Sequence, residues 1–175
     1  EDQFNPKFGL IWKPLPDTTF RAAAFRTLKR TLITDQTLEP TQVAGFNQFF
    51  DDANATDAWR YGAAIDQRFK NLYAGVEYSQ RDLDVPFNPE QGKLSTADWD
   101  EDIFRAYLYY TPHEWLALRA EYFWEDIERD DDLAAGAKEA ESHIVPLGLN
   151  FFHPSGLSAI LKGTFVDQDG KFERA

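Results

Sequence analysis

Polar and apolar residues alternate with a period of two along much of this chain, in runs separated by connections of two unequal kinds. Trp59, Tyr61, Ala63, Ile65 and Phe69 share one side of such a run with Gln67, while Arg60, Gly62, Ala64, Asp66, Arg68 and Lys70 share the other. A strand turns successive side chains to opposite faces, so a run of this kind needs one apolar and one wet environment. Lys70-Asn71 leads directly into another run, in which Leu72, Ala74, Val76 and Tyr78 oppose Tyr73, Gly75, Glu77, Ser79 and Arg81. A tight turn that keeps register brings Ile65 near Val76 and Ala63 near Tyr78, so the two apolar faces coincide. The design recurs around Thr111-Pro112-His113. There Phe104, Ala106, Leu108 and Tyr110 meet Leu116, Leu118, Ala120, Tyr122 and Trp124, with Arg105, Tyr107, Tyr109, Arg119, Glu121 and Glu125 opposite. Direct pairing across that turn predicts an ion pair between Arg105 and Glu121. Further strands are predicted over Lys7–Lys13, Thr18–Arg30, His143–Phe152 and Leu157–Asp169. In the second of these, Phe20, Ala22 and Ala24 alternate with Arg21, Ala23 and Phe25, and the pattern leaves its facing open.

The connections sort by length. Pro14-Leu15-Pro16-Asp17, Lys70-Asn71, Thr111-Pro112-His113 and His153-Pro154-Ser155-Gly156 read as tight turns, whereas Thr31–Asp57, Asp82–Asp98 and Ile127–Glu141 read as long polar loops. Short turns on one side and long loops on the other are the layout of a transmembrane barrel. The expectation is therefore an all-β chain: an antiparallel, up-and-down transmembrane β-barrel segment of about eight strands in four hairpins. Residues 1–175 form one barrel region, part of a larger barrel. Runs of about ten residues suit a tilted strand that crosses the hydrocarbon layer. Trp12, Trp59, Trp99, Trp115 and Trp124 fall near predicted strand ends, where amphipathic rings favour the headgroup zone.

Two sets of candidate residues follow. Trp12, Trp59, Tyr61, Tyr78, Leu108, Tyr110, Leu118, Tyr122 and Trp124 are expected to face lipid or its interfacial girdle. Arg60, Asp66, Arg68, Glu77, Arg81, Arg105, Arg119, Glu121 and Glu125 are expected to line the lumen. Paired, these charges lock strand register; unpaired, they tune solute selectivity. Interleaving of both signs on adjacent strands favours pairing. Alternation by itself does not say which face is inside, and a soluble all-β ligand-binding barrel of the lipocalin kind is the rival fold.

Composition narrows the classes. The chain has 175 residues, 15% of them aromatic, with a formal net charge of -12. Its mean hydropathy is -0.53, which a barrel tolerates because each strand needs only one apolar face. No window of about 18 apolar residues exists, so no transmembrane helix is expected. The acidic balance argues against nucleic acid as a partner, since neutralising phosphates takes a basic surface. Cysteine is absent, which removes disulfides, thiolate metal sites and cysteine nucleophiles together. No signal-peptide pattern opens the sequence at Glu1, and Lys171-Phe172-Glu173-Arg174-Ala175 lacks a terminal aromatic residue, so the chain reads as a fragment of a longer protein.

Candidate chemistry is sparse. Acidic residues gather at Asp51 and Asp52, at Asp98, Asp100, Glu101 and Asp102, and at Glu125, Asp126, Glu128, Asp130, Asp131 and Asp132. Converging oxygens hold hard cations, yet the last cluster lacks the spacing and glycine of a calcium loop, so solvated loops are the expectation and no metal is assigned. His113, His143 and His153 fall in no zinc-binding spacing. Ser142-His143 invites comparison with a hydrolase, but strand neighbours point to opposite faces and cannot act as nucleophile and base. No enzyme activity and no cofactor are expected.

A resemblance sharpens the fold reading. Phe4-Asn5-Pro6-Lys7-Phe8-Gly9-Leu10-Ile11-Trp12, followed by Thr18-Thr19-Phe20-Arg21-Ala22-Ala23, resembles a strand, turn and strand of TonB-dependent receptors and related outer-membrane barrels. The stretch from Leu38 through Phe46 to Asp52 is similar to a loop in large bacterial envelope proteins whose receptor-like barrel follows a tetratricopeptide-repeat region. The resemblance implies a Gram-negative outer-membrane location, membrane lipid as surroundings, and a solute or partner protein at the external loops. It implies receptor-like or porin-like passage, or surface binding, of a solute. The alternative within the family is an anchor or export channel for an attached repeat domain. No plug domain or TonB box is present in the sequence, so nothing in it couples passage to an energy source.

Overall fold

The computed structural model describes residues 3–29, 42–47, 52–90, 93–130 and 136–173. Arg30, residues 31–41 and 48–51 of the first predicted loop, Asp51, Asp131 and Asp132 lie outside the described residues. The strands in chain order are β1 (Lys7–Leu15), β2 (Thr18–Leu28), β3 (Gln42–Val43), β4 (Phe46–Asn47), β5 (Asp57–Phe69), β6 (Leu72–Glu90), β7 (Lys93–His113), β8 (Leu116–Arg129), β9 (Gly136–Phe152) and β10 (Ser158–Glu173). Eight of them form one sheet in the order β1-β2-β5-β6-β7-β8-β9-β10, and β3 pairs with β4 apart from it. Every neighbouring pair is antiparallel, so the sheet is an up-and-down meander interrupted once by the small hairpin. The fold is all-β. Among the described residues β1 pairs only with β2 and β10 only with β9, which leaves the sheet open.

The registers decide which side chains share a face. Ala63 pairs with Tyr78 and Ile65 with Val76, as the tight turn at Lys70-Asn71 predicts. The third turn differs from expectation. Thr111, Pro112 and His113 belong to β7, the chain reverses at Glu114-Trp115, and Arg105 pairs with Phe123 while Tyr107 pairs with Glu121. The strand runs on because the Thr111 amide still donates to the Asn71 carbonyl across the β6–β7 ladder. Arg105 and Glu121 meet all the same, diagonally, at 3.1 Å.

Two of the predicted loops are ladders over much of their length. Leu83 pairs with Trp99 and Val85 with Ala97, so most of Asp82–Asp98 is strand. Ile127 pairs with Ala140 and Glu128 with Glu139. The cause is a short apolar alternation among the acids: Leu83 and Val85 are buried with Ala58, and Trp99 packs against them. Pairing needs only backbone groups and one favourable face, and these residues supply both. In the first long connection, β3 and β4 meet at Ala44 and Gly45, both at positive φ (49° and 93°), the geometry of a two-residue primed turn.

The sheet curls. Arg21 on β2 reaches Glu77 on β6 at 3.1 Å and the Tyr107 hydroxyl on β7 at 3.4 Å. On a flat sheet β2 and β7 would stand three strand spacings, about 14 Å, apart. Side chains meeting across that distance, with others of the same face buried between them, fit a sheet bent toward the face that carries them. A small core on this concave face joins Ala23, Phe25, Phe46 and Ala64, with Val43 and Ala44 against it.

Candidate functional site

One cross-strand row runs Arg21, Ala64, Glu77, Arg105, Phe123, Ile144, Val166 and fixes the concave face from β2 to β10. By parity from this row, Arg60, Asp66, Arg68, Glu77, Arg81, Arg105, Arg119, Glu121 and Glu125 all fall on it. The charges gather into three groups. In the middle, Arg21 meets Asp66 at 2.7 Å and Glu77 at 3.1 Å, while the Tyr107 hydroxyl donates to Asp66. The Tyr107 ring lies over Gly75, where a Cβ would collide with it. Nearer the tight turns, Glu121 meets Arg105 at 3.1 Å and Arg119 at 2.6 Å, and the Tyr109 hydroxyl donates to it. Toward the opposite end, Arg81 joins Glu101 at 2.5 Å and Asp52 at 2.6 Å, and Arg60 donates to Ser79 Oγ at 2.9 Å. Arg68 is exposed near the end of β5, and Glu125 is half-buried on β8.

Several members of these groups were not among the candidate residues, although the alternation set the tyrosines on this face. Arg21 fell on a strand whose facing the pattern left open, and its partners identify it as the residue that spans most strands. Tyr73, Tyr107 and Tyr109 stack with centroids 5.8 to 6.3 Å apart, and their hydroxyls make them polar members of a charged face. Glycines inside strands were the available signal: Gly75 accommodates Tyr107 and Gly62 accommodates Phe46.

The opposite, convex face carries Trp12, Trp59, Tyr61, Tyr78, Leu108, Tyr110, Leu118, Tyr122 and Trp124. Its middle rows are mainly apolar, as in Ala74, Leu108, Ala120 and Leu147, with the polar Gln67 and Thr18 at the β5–β2 end of that row. They end at an aromatic row, Tyr78, Phe104, Trp124 and His143. Polar tips in and beside that row engage neighbours: Tyr78 donates to Asp102 at 2.6 Å, Trp124 donates to Glu141 at 2.7 Å, and the Tyr122 hydroxyl meets His143 Nδ1 at 2.8 Å. Trp99 is a correction to the girdle expectation: its ring lies on the concave side, 4.0 Å from the Arg129 guanidinium. Trp115 sits in a turn between His113 and His153.

The polarity of the two faces is the reverse of a water-soluble core. Asp66 is 5% exposed and Glu121 3%, whereas Val76 and Leu108 are 42% and 41% exposed. The sequence neighbours Ser142 and His143 do not come together as nucleophile and base. Ser142 Oγ accepts from Gln168 on the concave face, while His143 turns to Tyr122 on the other. Among the described residues no group of three or more His, Asp or Glu side chains is arranged around a common metal position.

Beyond the aromatic row the convex side becomes acidic. Asp84 lies opposite Asp98 in the β6–β7 ladder, and burial, the hydrogen bond with Asp98 and the charges of Asp98 and Asp57 raise its carboxyl above the ordinary range, with Arg26 opposing. Asp82 is raised by burial and then by Asp100 and Asp102, and Asp126 by burial and then by Glu141, Asp102 and Glu139. A raised carboxyl binds its proton more tightly folded than unfolded. Its stabilising contribution is therefore complete below the unfolded value of about 3.9 and is lost as pH rises through the folded one. Amide exchange at Leu83 and Val85, corrected for intrinsic rates, is expected to slow as pH falls from neutrality toward that range. Asp84→Asn should flatten the dependence; an unchanged profile would exclude charge crowding as its source.

No protein-family model, curated protein or solved structure matches this chain. The functional reading accordingly rests on the geometry.

Proposed function

We propose that this sheet is part of the wall of a bacterial outer-membrane β-barrel, with the convex apolar face toward lipid and the concave charged face toward an aqueous lumen. The reversed polarity carries the reading: in the middle of the sheet carboxylates and guanidinium groups are buried together while Val76, Leu108, Tyr61 and Tyr78 are left bare. In water that arrangement exposes a wide contiguous apolar surface, which monomeric soluble proteins avoid. In a bilayer the same surface meets hydrocarbon. On the convex face of β8 the run from Leu116 to the aromatic row at Trp124 spans roughly 20 Å along the membrane normal at a rise of about 3.3 Å per residue and a tilt near 40°. The aromatic row with its hydrogen-bonded tips supports an interfacial level at that end, and the acidic rows lie beyond it. A soluble lipocalin-like barrel would need the opposite facing.

The free edges favour a larger barrel. β10 offers a sixteen-residue edge and β1 a nine-residue one. Backbone groups left unpaired in hydrocarbon cost several kcal/mol each, so the wall continues into further strands at both edges rather than ending there. The function we assign is receptor-like or porin-like passage, or surface binding, of a solute in the Gram-negative outer membrane. The full-length protein is expected in the outer-membrane fraction, retained through carbonate and urea washes and released only by detergent. Recovery as a detergent-free monomer from the soluble fraction would end the proposal.

A further inference from the structure

The end of the concave face nearest the tight turns is cationic. Its last row to run from β5 to β10 is Arg68, Tyr73, Tyr109, Arg119, Gly148 and Lys162. Half of these residues are cations and none is a carboxylate. Arg68 and Lys162 are exposed, and Gly148 places no side chain between Arg119 and Lys162. Closer to the turns, the carboxylates of Asp17 and Glu114 are offset in charge by Lys13 and Lys70.

Carboxylates in the adjoining row are already engaged. Asp66 is held by Arg21 and Tyr107, and Glu121 lies between two guanidinium groups, those of Arg105 and Arg119. Even so paired, Arg119 leaves 48% of its side chain exposed. Deeper on the same face, Arg21 and Arg60 flank the Phe46 ring at 5.5 and 5.7 Å and donate to the Ala44 and Asn47 carbonyls. Their charge holds the β3–β4 hairpin against the wall. The acidic excess lies elsewhere: on β9 and β10 the carboxylates Glu139, Glu141, Asp167 and Asp169 fall on the convex side, by parity from the Ile144–Val166 pair. A chain with a net charge of -12 thus turns a positive rim to its concave side at the tight turns, the periplasmic side of the barrel reading.

Fixed cations at the mouth of an aqueous path between low-dielectric walls draw anions and repel cations. Their reach is short, about 8 Å at physiological ionic strength, so they act on what crosses the row and not on encounters at the far loops. We infer that this row is an anion filter at the periplasmic mouth and that the solute of the lumen is an anion. The inference rests on the barrel reading and names the charge class of its solute.

Reversal potentials of the full-length protein in planar lipid bilayers, under a dilute potassium chloride gradient, test it. Chloride is expected to permeate about threefold better than potassium, the effect of a potential of roughly one kT at the row. Arg68→Glu combined with Lys162→Glu should abolish or invert that preference. Lys171→Glu, the same reversal on the convex side of β10, should leave it unchanged. Should the double reversal fail to insert, Arg68→Gln with Lys162→Gln decides, and is expected to remove part of the preference. A native protein that prefers potassium, a preference unmoved by either double variant, or an absence of conductance would overturn the filter and leave the membrane reading standing. A protein that needs no detergent would overturn both.

Discussion

Arginine in place of Leu108 is expected to destabilise the protein folded in lipid vesicles by about 2–4 kcal/mol, the cost of a cation near the middle of the bilayer on the lipid side of a strand. Leu108 lies between Ala74 and Ala120, two rows from the aromatic one, and is open to the surroundings. Were those surroundings water, an exposed Leu→Arg change on a strand would stay within about 0.5 kcal/mol. The two environments thus differ by a margin that equilibrium unfolding in urea resolves. Gln80→Arg supplies the internal control, because Gln80 pairs with Asp102 beyond the aromatic row, where the cost falls to about 0–1 kcal/mol. Equal effects at the two positions would remove the membrane from the account.

What the sequence made legible was local. Alternation around Lys70-Asn71 set the register of β5 and β6, because the turn is short and both strands bear one unmistakably apolar face. It also sorted Arg60, Asp66, Glu77 and Arg105 onto one side. The end of β7 was less legible: Pro112 reads as a turn residue, yet a strand end tolerates proline, and the chain turns two residues later. The outer ladders were hidden by acids, since Asp82 and Asp84 drew attention away from Leu83 and Val85 between them. Contacts such as Arg21 with Tyr107 depend on how far the sheet bends, and a period-two pattern contains no information on bending. The inward hairpin was invisible for a related reason. Phe46 is one of three phenylalanines within five residues and nothing in their spacing singles it out, so only its partner Gly62, a glycine inside a strand, hints at a neighbour from outside the ladder.

Asp66 is the residue whose loss should cost the wall most. Its carboxylate accepts from Arg21 Nε at 2.7 Å, from Arg21 Nη2 at 3.3 Å and from the Tyr107 hydroxyl, all within a nearly buried setting. Asp66→Ala leaves Arg21 with Glu77 as its one carboxylate partner among the described residues and removes the acceptor to which the Tyr107 hydroxyl donates, so a loss of about 3–5 kcal/mol is expected, as for other broken buried pairs. Asp66→Asn keeps one acceptor oxygen, enough for the Tyr107 hydroxyl and Arg21 Nη2 that share Oδ1, and should lose less. The pair itself need not be strongly stabilising, because two desolvated charges offset much of their own attraction. The double variant Arg21→Met, Asp66→Leu should therefore recover a large part of what Asp66→Ala loses. Arg21 also holds the hairpin through the Ala44 carbonyl, so the two variants separate two roles. If the double variant regains stability but a probe at Phe46 becomes mobile, the network serves to position the hairpin more than to hold the sheet. Additive losses in the double variant would mean that Arg21 and Asp66 act independently, and the buried network would lose its claim to be one unit.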